Sequence, residues 1–213
     1  MAYRTTVARM DRDHALRAHI LSCALKRVSD GGFAALTMQA LAEDAGIATG
    51  SLYRHFQNKG EIAVEVFRLA SQCEVELLAA AFNAPGHVCT RLRQGLSQFA
   101  ARAWHSRRLA FALIAEPVEP AVDEQRLFYR EAYAELFAQL LDEGVQAGHF
   151  HLEHTHLVAA CLVGAIAESL IGPLSPPARA AREAGHHSLS LEAVTQSLTS
   201  FCLRAIGASE IHL

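Results

Sequence analysis

The sequence predicts an all-α protein, and three observations carry that prediction. Of 213 residues, 39 are Ala, the strongest intrinsic helix former, against 13 Gly and 6 Pro. Apolar residues recur at helical spacing in one segment after another, and no segment alternates with period two for long enough to argue a strand. The prolines all fall between residues 85 and 177, so the first 84 residues hold no helix breaker of that kind. With 51% hydrophobic and 19% charged residues, the chain can bury a core, and disorder is excluded.

The elements follow in order. His14 to Asp30 places Leu16, Ile20, Leu21, Ala24, Leu25 and Val28 at helical spacing and stops at Gly31-Gly32. Residues 1–13 are expected to be a flexible arm, with Arg4 and Arg9 available to a polyanion. Thr37 is an N-cap candidate for a two-turn helix that carries Leu41 and Ala45 inward and ends at Gly46. After the turn Gly46-Ile47-Ala48, TGSLYRHF forms a second short helix to Phe56. Two helices of about eight residues joined by a glycine turn make a helix-turn-helix over 37–56, a unit that lays its second helix in the DNA major groove. Asn58 caps a helix of about 20 residues, roughly 30 Å long, that runs without Gly or Pro from Glu61 to Ala81. Asn83-Ala84-Pro85-Gly86 then separates a domain at 14–74 from one at 84–213. Beyond it helices are expected at 90–106, 107–116, 122–147, 154–171 and 189–206, giving about nine in all. The stretch 173–187, with its prolines and His186-His187, reads as an exposed connector.

The net charge of −3 divides unevenly. Residues 1–60 hold eight Lys and Arg against five Asp and Glu, leaving eleven against seventeen in the remainder. A basic end joined to an acidic body fits one end meeting a polyanion, because phosphate attraction fades within a Debye length of about 8 Å at physiological salt. Five cysteines, odd in number and never spaced C-x-x-C, read as reduced and mostly buried thiols. The first ten residues lack the apolar region of a secretory signal, and the longest apolar run, Leu157 to Ala167, is 11 residues. A soluble cytoplasmic protein with no membrane partner is expected.

The stretch TMQALAEDAGIATGSLYRHFQNKGEI resembles the DNA-binding module of the TetR/AcrR family of bacterial transcriptional regulators. Thr37, Leu41-Ala42, Ala45-Gly46-Ile47, Gly50, Leu52-Tyr53, Phe56 and Lys59 all stand at the family's spacing, and the likeness extends over about 14–70. Leu41, Ile47, Leu52 and Phe56 are the apolar plugs that two short helices need, since neither is stable alone. The resemblance implies DNA contact by Thr37, Thr49, Gly50, Ser51, Tyr53, Arg54, His55 and Lys59. Arg54 is the candidate reader of a guanine edge; Tyr53, His55 and Lys59 are candidate phosphate contacts. Two residues depart from the pattern. Ala48 replaces a capping Ser, and Gly60 follows Lys59 where an acid is common, which should weaken the next helix by up to about 1 kcal/mol.

For the C-terminal domain the resemblance implies a small-molecule effector held between the middle helices and a homodimer formed through the last two. Trp104, His105, Phe111, Arg126, Tyr129 and Tyr133, with Phe99 and Phe128, suit a largely apolar ligand site, though aromatics at helical spacing are more often plain core. Leu162, Ala165, Ile166, Leu191, Val194, Leu198 and Phe201 are the expected dimer interface. His149, His151, His154 and His156 lie close together but at spacings that make a poor metal site, and no metal or cofactor is expected. Nucleophile-elbow, P-loop and H-E-x-x-H motifs are all missing from the sequence, and an enzyme is not expected. The expected function is a ligand-responsive regulator, a repressor by preference, on a pseudo-palindromic operator; an activator or an effector-independent DNA-binding protein stays open.

Overall fold

The protein, seen as a computed structural model, is described for residues 2–186 and 189–208. Met1, His187, Ser188, residues 209–213 and the side chains of residues 2–8, that of Arg4 among them, lie outside the described residues. Those described form ten α-helices and one 3-10 turn: α1 (Ala2–Gly31), the turn Phe33–Ala35, α2 (Met38–Asp44), α3 (Thr49–Leu52), α4 (Lys59–Phe82), α5 (Val88–His105), α6 (Arg107–Ile114), α7 (Pro120–Gln146), α8 (Thr155–Leu174), α9 (Pro176–Glu183) and α10 (Leu191–Ala205).

Local chemistry explains most of the boundaries. Thr37 accepts the Ala40 N–H at 3.2 Å and so caps α2, a contact of about 1 kcal/mol. Asn58 accepts the Glu61 N–H at 2.9 Å, while the Glu61 carboxylate accepts the Gln57 N–H at 2.7 Å, a reciprocal closure of the start of α4. Ser175 caps α9 and Ser190 caps α10. Ala48 offers α3 no side-chain cap, and α3 keeps only four residues of the eight-residue helix that the sequence predicts, the chain reaching Phe56 through turns. Two further boundaries differ from expectation. Helix α1 continues back to Ala2 where an arm was expected from 1 to 13. Helix α9 forms inside the predicted connector, because Pro176 and Pro177 stand at its first turn, where a missing N–H is harmless.

The side chains pack into two cores. The first joins Ile20, Val28, Leu41, Leu52, Phe56, Ile62 and Phe67 from α1 to α4 and draws in Ala112, Val122 and Tyr129 from α6 and α7. The second joins Leu78, Phe82, Leu92, Leu96, Phe137, Leu141, Leu162, Ile166, Leu198 and Cys202. Helix α4 belongs to both, its first half in one core and its last turns in the other.

This packing corrects four of the expected interface residues. Leu162, Ile166, Val194 and Leu198 are at most 6% exposed, enclosed by their own chain, so they hold α8 and α10 onto the body of the protomer. Ala165 and Leu191 are half-buried, and only Phe201 of the seven is exposed. The outward face of α8 instead carries Leu157, Ala160, Cys161, Gly164 and Glu168. The thiols also depart from expectation: Cys89 and Cys202 are buried, Cys23 is half-buried, and Cys73 and Cys161 are exposed.

Candidate DNA interface and ligand cavity

The start of α3 is an open part of the first core's surface. Thr49, Gly50, Tyr53 and Arg54 are exposed, and Ser51, His55 and Lys59 are half-buried. A Cβ added at Gly50 meets nothing within 4 Å, so the backbone there is free to approach a surface. Ser51 accepts a hydrogen bond from Arg54 Nη2 at 2.6 Å, which leaves the remaining guanidinium donors projecting outward. Leu52 and Phe56 are buried beneath this surface and anchor α3 in the first core. Tyr53, by contrast, is 53% exposed.

Arg17 of α1 holds the end of this unit and was not picked out in the sequence. Its Nη1 donates to the His55 carbonyl at 2.9 Å, and its guanidinium lies 4.1 Å from the centre of the Phe56 ring. Glu61 and Glu65 stand 3.8 Å from it. Its signal is spatial rather than local, since 38 residues separate it from the carbonyl it holds.

The second feature is a cavity of about 530 Å³ between α4, α5, α6, α7 and α8, within the size range of small-molecule sites. Its wall is mostly apolar, built from such residues as Phe67, Leu77, Leu96, Leu113, Phe137 and Ile166. Of the expected ligand residues, His105, Arg126, Tyr129 and Tyr133 line it, as does Phe99. Trp104 and Phe111 do not: both pack against the second core. Phe128 is on the surface.

The polar groups of the wall are held. Arg102 Nε lies 2.9 and 3.1 Å from the two Glu74 oxygens. Tyr129 donates its hydroxyl to the Arg68 carbonyl at 3.2 Å. Burial pushes the Tyr133 phenol well above its ordinary value, so it remains a neutral donor. Arg126 Nε donates to the Leu113 carbonyl and its Nη2 to the Glu116 carbonyl, both at 2.9 Å. Burial lowers the Arg126 pKa, against the opposing pull of Asp123.

Arg126 thereby fixes the end of α6 to α7, and the next residues touch the first core. The Glu116 carboxylate accepts the N–H groups of Phe33 and Ala34, each at 3.0 Å. A Cβ on Gly32 would stand 2.5 Å from Glu116 Oε2, and one on Gly60 would stand 2.5 Å from Glu119 Oε2. Gly60 is therefore the room that lets the α6–α7 loop seat on the start of α4, a reason that the helix-breaking cost alone did not suggest. The local sequence does not show that Glu116 does this, because its partners lie over 80 residues away.

Among the described residues no three His, Cys, Asp or Glu side chains are grouped to hold a metal ion. His149 lies against the ring of His87 at 4.2 Å, and His156 Nδ1 lies 3.8 Å from Glu135.

A short capped helix, a glycine turn, an exposed second helix and a long helix leading to a cavity are thus all in place. Residues 20–66 match the model of the bacterial regulatory proteins of the tetR family. These residues form a DNA-binding domain of the TetR family. It is 24% identical over 138 residues to the transcriptional repressor KstR2 of Mycobacterium tuberculosis, covering 63% of this chain and 68% of that one. Over 80 residues it is 31% identical to the transcriptional regulator AcrR of Shigella flexneri, covering 37% of each. Among solved structures, FadR from Bacillus subtilis in complex with stearoyl-CoA has a TM-score of 0.72 at 18% identity, covering 89% of this chain and 98% of that one. MbdR from Azoarcus sp. CIB has a TM-score of 0.66 at 20% identity, with 89% and 98% covered. At these identities the structural likeness establishes the fold. Members of the TetR family are DNA-binding transcriptional regulators rather than enzymes.

Proposed function

We propose that the protein is a ligand-responsive transcriptional repressor: a homodimer in the cytoplasm that grips a pseudo-palindromic operator through two copies of α3 and lets go when a small, largely apolar effector enters the cavity. The observation that carries this reading is α4, which is capped beside the helix-turn-helix at Asn58 and then supplies Phe67, Leu77 and Leu78 to the cavity wall. Arg54 reads base edges, while Tyr53, His55 and Lys59, with the hydroxyls of Thr49 and Ser51, hold phosphates; Thr37 serves through its cap on α2. The two chains meet on the outward faces of α8 and α10 around Leu157, Cys161, Gly164 and Phe201. Helix α8 is also long and apolar enough to cross a membrane, with a mean hydropathy of 2.0, yet only a third of that window is buried in the protomer; a partner chain covering the remainder suits a surface of this size.

An effector would act by preferring one arrangement of α6. Leu109, Ala110 and Leu113 bring α6 into the cavity wall, and Arg126 with Glu116 carries its end to the 3-10 turn before α2. A ligand can shift this equilibrium only by its differential affinity for the two arrangements. The Bacillus subtilis neighbour of the same fold was determined in complex with stearoyl-CoA, which supports taking the cavity as the effector site. Footprinting on the DNA flanking the protein's own gene tests the reading, with and without fractions of cell extract. Protection of a two-fold site that one fraction removes is expected. Protection that no fraction alters would leave an effector-independent regulator, and no protection at any salt concentration would sink the regulator.

A further inference from the structure

Trp104, turned away from the cavity, lies between two guanidinium groups. The Cζ of Arg107, the first residue of α6, is 4.4 Å from its ring centre, and that of Arg182, on α9, is 5.7 Å away. Stacking on an indole engages the flat face of a guanidinium and leaves its in-plane N–H donors to find partners elsewhere. Arg182 Nη1 finds the Pro173 carbonyl at 2.8 Å. Arg182 Nη2 and Arg107 Nε are buried with no hydrogen-bond partner among the described residues. Among the described residues neither arginine has an ion pair, and Glu183, next to Arg182 in sequence, is taken by Arg179 at 2.7 Å.

Two like charges are thus brought to one indole, partly desolvated, with no counter-charge. Burial, and after it the charge of Arg182, hold Arg107 below the ordinary arginine value. Packing alone does not ask for this, since a Met or Leu would cover Trp104 without repulsion or buried orphan donors. Arg102 also leaves its Nη2 without a partner, but Glu74 already neutralises its charge. None of these three residues lines the cavity, but two of them neighbour its wall along the chain: Trp104 stands between the lining residues Ala103 and His105, and Arg107 follows the lining residue Ser106.

We propose that Arg107 and Arg182, stacked on Trp104, form an anion subsite that takes the phosphate or carboxylate head of an amphipathic effector whose apolar part occupies the neighbouring cavity. The inference rests on the cavity being the effector site. A guanidinium fork suits either oxyanion through paired N–H donors. Because the site joins the first residue of α6 to α9, its occupation would also bear on the helix that leads to Glu116.

Trp104 is the chain's one tryptophan, so its fluorescence reports from the site itself. The full-length protein is titrated at constant ionic strength with decanol, decanoate, decyl phosphate and inorganic pyrophosphate. At least one of the two charged chains should bind roughly tenfold or more tightly than decanol. That advantage should vanish in Arg107→Gln and in Arg182→Gln, with decanol affinity unchanged. The Arg182 variant lies on a surface helix, and circular dichroism with thermal melting checks that both variants fold. Equal affinity for all three chains in the wild type would overturn the anion subsite and leave the cavity reading standing. Pyrophosphate binding lost in both variants, with no chain bound, would support the anion subsite and overturn the cavity reading. No response to any of the four would overturn the proposal.

Discussion

At Gly32 the backbone has φ 74° and ψ 179°, a region open to essentially no residue but glycine. A Cβ there would also meet the Glu116 carboxylate. Gly32→Ala should therefore lower stability by about 1–3 kcal/mol, read as a fall in the urea midpoint; a change below about 0.5 kcal/mol would mean that the loop yields freely. On the DNA side, Arg54 and Lys59 carry the same charge toward different outcomes. Arg54→Ala should relax preference at one or two operator positions, with about 1–3 kcal/mol of discrimination lost. Lys59→Ala should weaken all duplexes alike and reduce the salt slope by about one. Affinity measured across an operator variant series and a salt series separates them, and an identical uniform loss from both would remove base reading from Arg54. The exposed residues of α3 were legible in the sequence because their spacing is local. Arg17 and Glu116 were not, since each acts on a backbone group far along the chain.

Among the elements, α8 shows why its outward face could not be read in advance. Its sequence is apolar nearly all the way round, so periodicity gives no phase, and Leu162 and Ile166, expected outside, turn inward while Cys161 and Gly164 stay out. The same geometry makes a test. Cys73, at the cavity wall, and Cys161, on α8, are both exposed in the protomer, whereas burial pushes the Cys202 thiol up to about 12. In the native protein a thiol reagent should label Cys73 readily, Cys161 only on dilution, and Cys89 and Cys202 only on unfolding. Labelling of Cys161 as fast as Cys73 at high concentration would move the interface elsewhere. Helix α5 is held to its neighbours by Arg91, which is 6% exposed, donates to the Phe82 carbonyl at 2.7 Å and pairs with Glu143 of α7. The hydrogen bond from Arg91 keeps the Glu143 carboxyl below its ordinary value. A depressed carboxylate stabilises the fold above its unfolded pKa and loses that contribution as pH falls through the folded value. The stability gap between wild type and Glu143→Gln should thus be full at neutral pH and shrink below about pH 5; a gap that does not change with pH would refute the pairing.

For the whole molecule, the two cores share α4 and α7, and hydrogen bonds from the loop between α6 and α7 tie them together as well. Glu116 supplies two of these, to Phe33 and Ala34, at the end of a helix that lines the cavity. If the proposed repressor works through this contact, effector and operator each lower the other's affinity by one common factor, because coupling free energy is reciprocal; such factors commonly run from about 5 to 150. Glu116→Ala removes the acceptor and leaves the cavity wall and α3 untouched. Operator affinity without effector should change little, and effector affinity without operator should change little, yet the factor linking them should fall toward one. Measuring all four affinities of the cycle, with the operator found by footprinting and the effector drawn from the active fraction, checks this and tests reciprocity at once. An unchanged factor would place the transmission through α4 itself, which spans both cores without interruption and needs no hydrogen bond at the loop to carry a displacement.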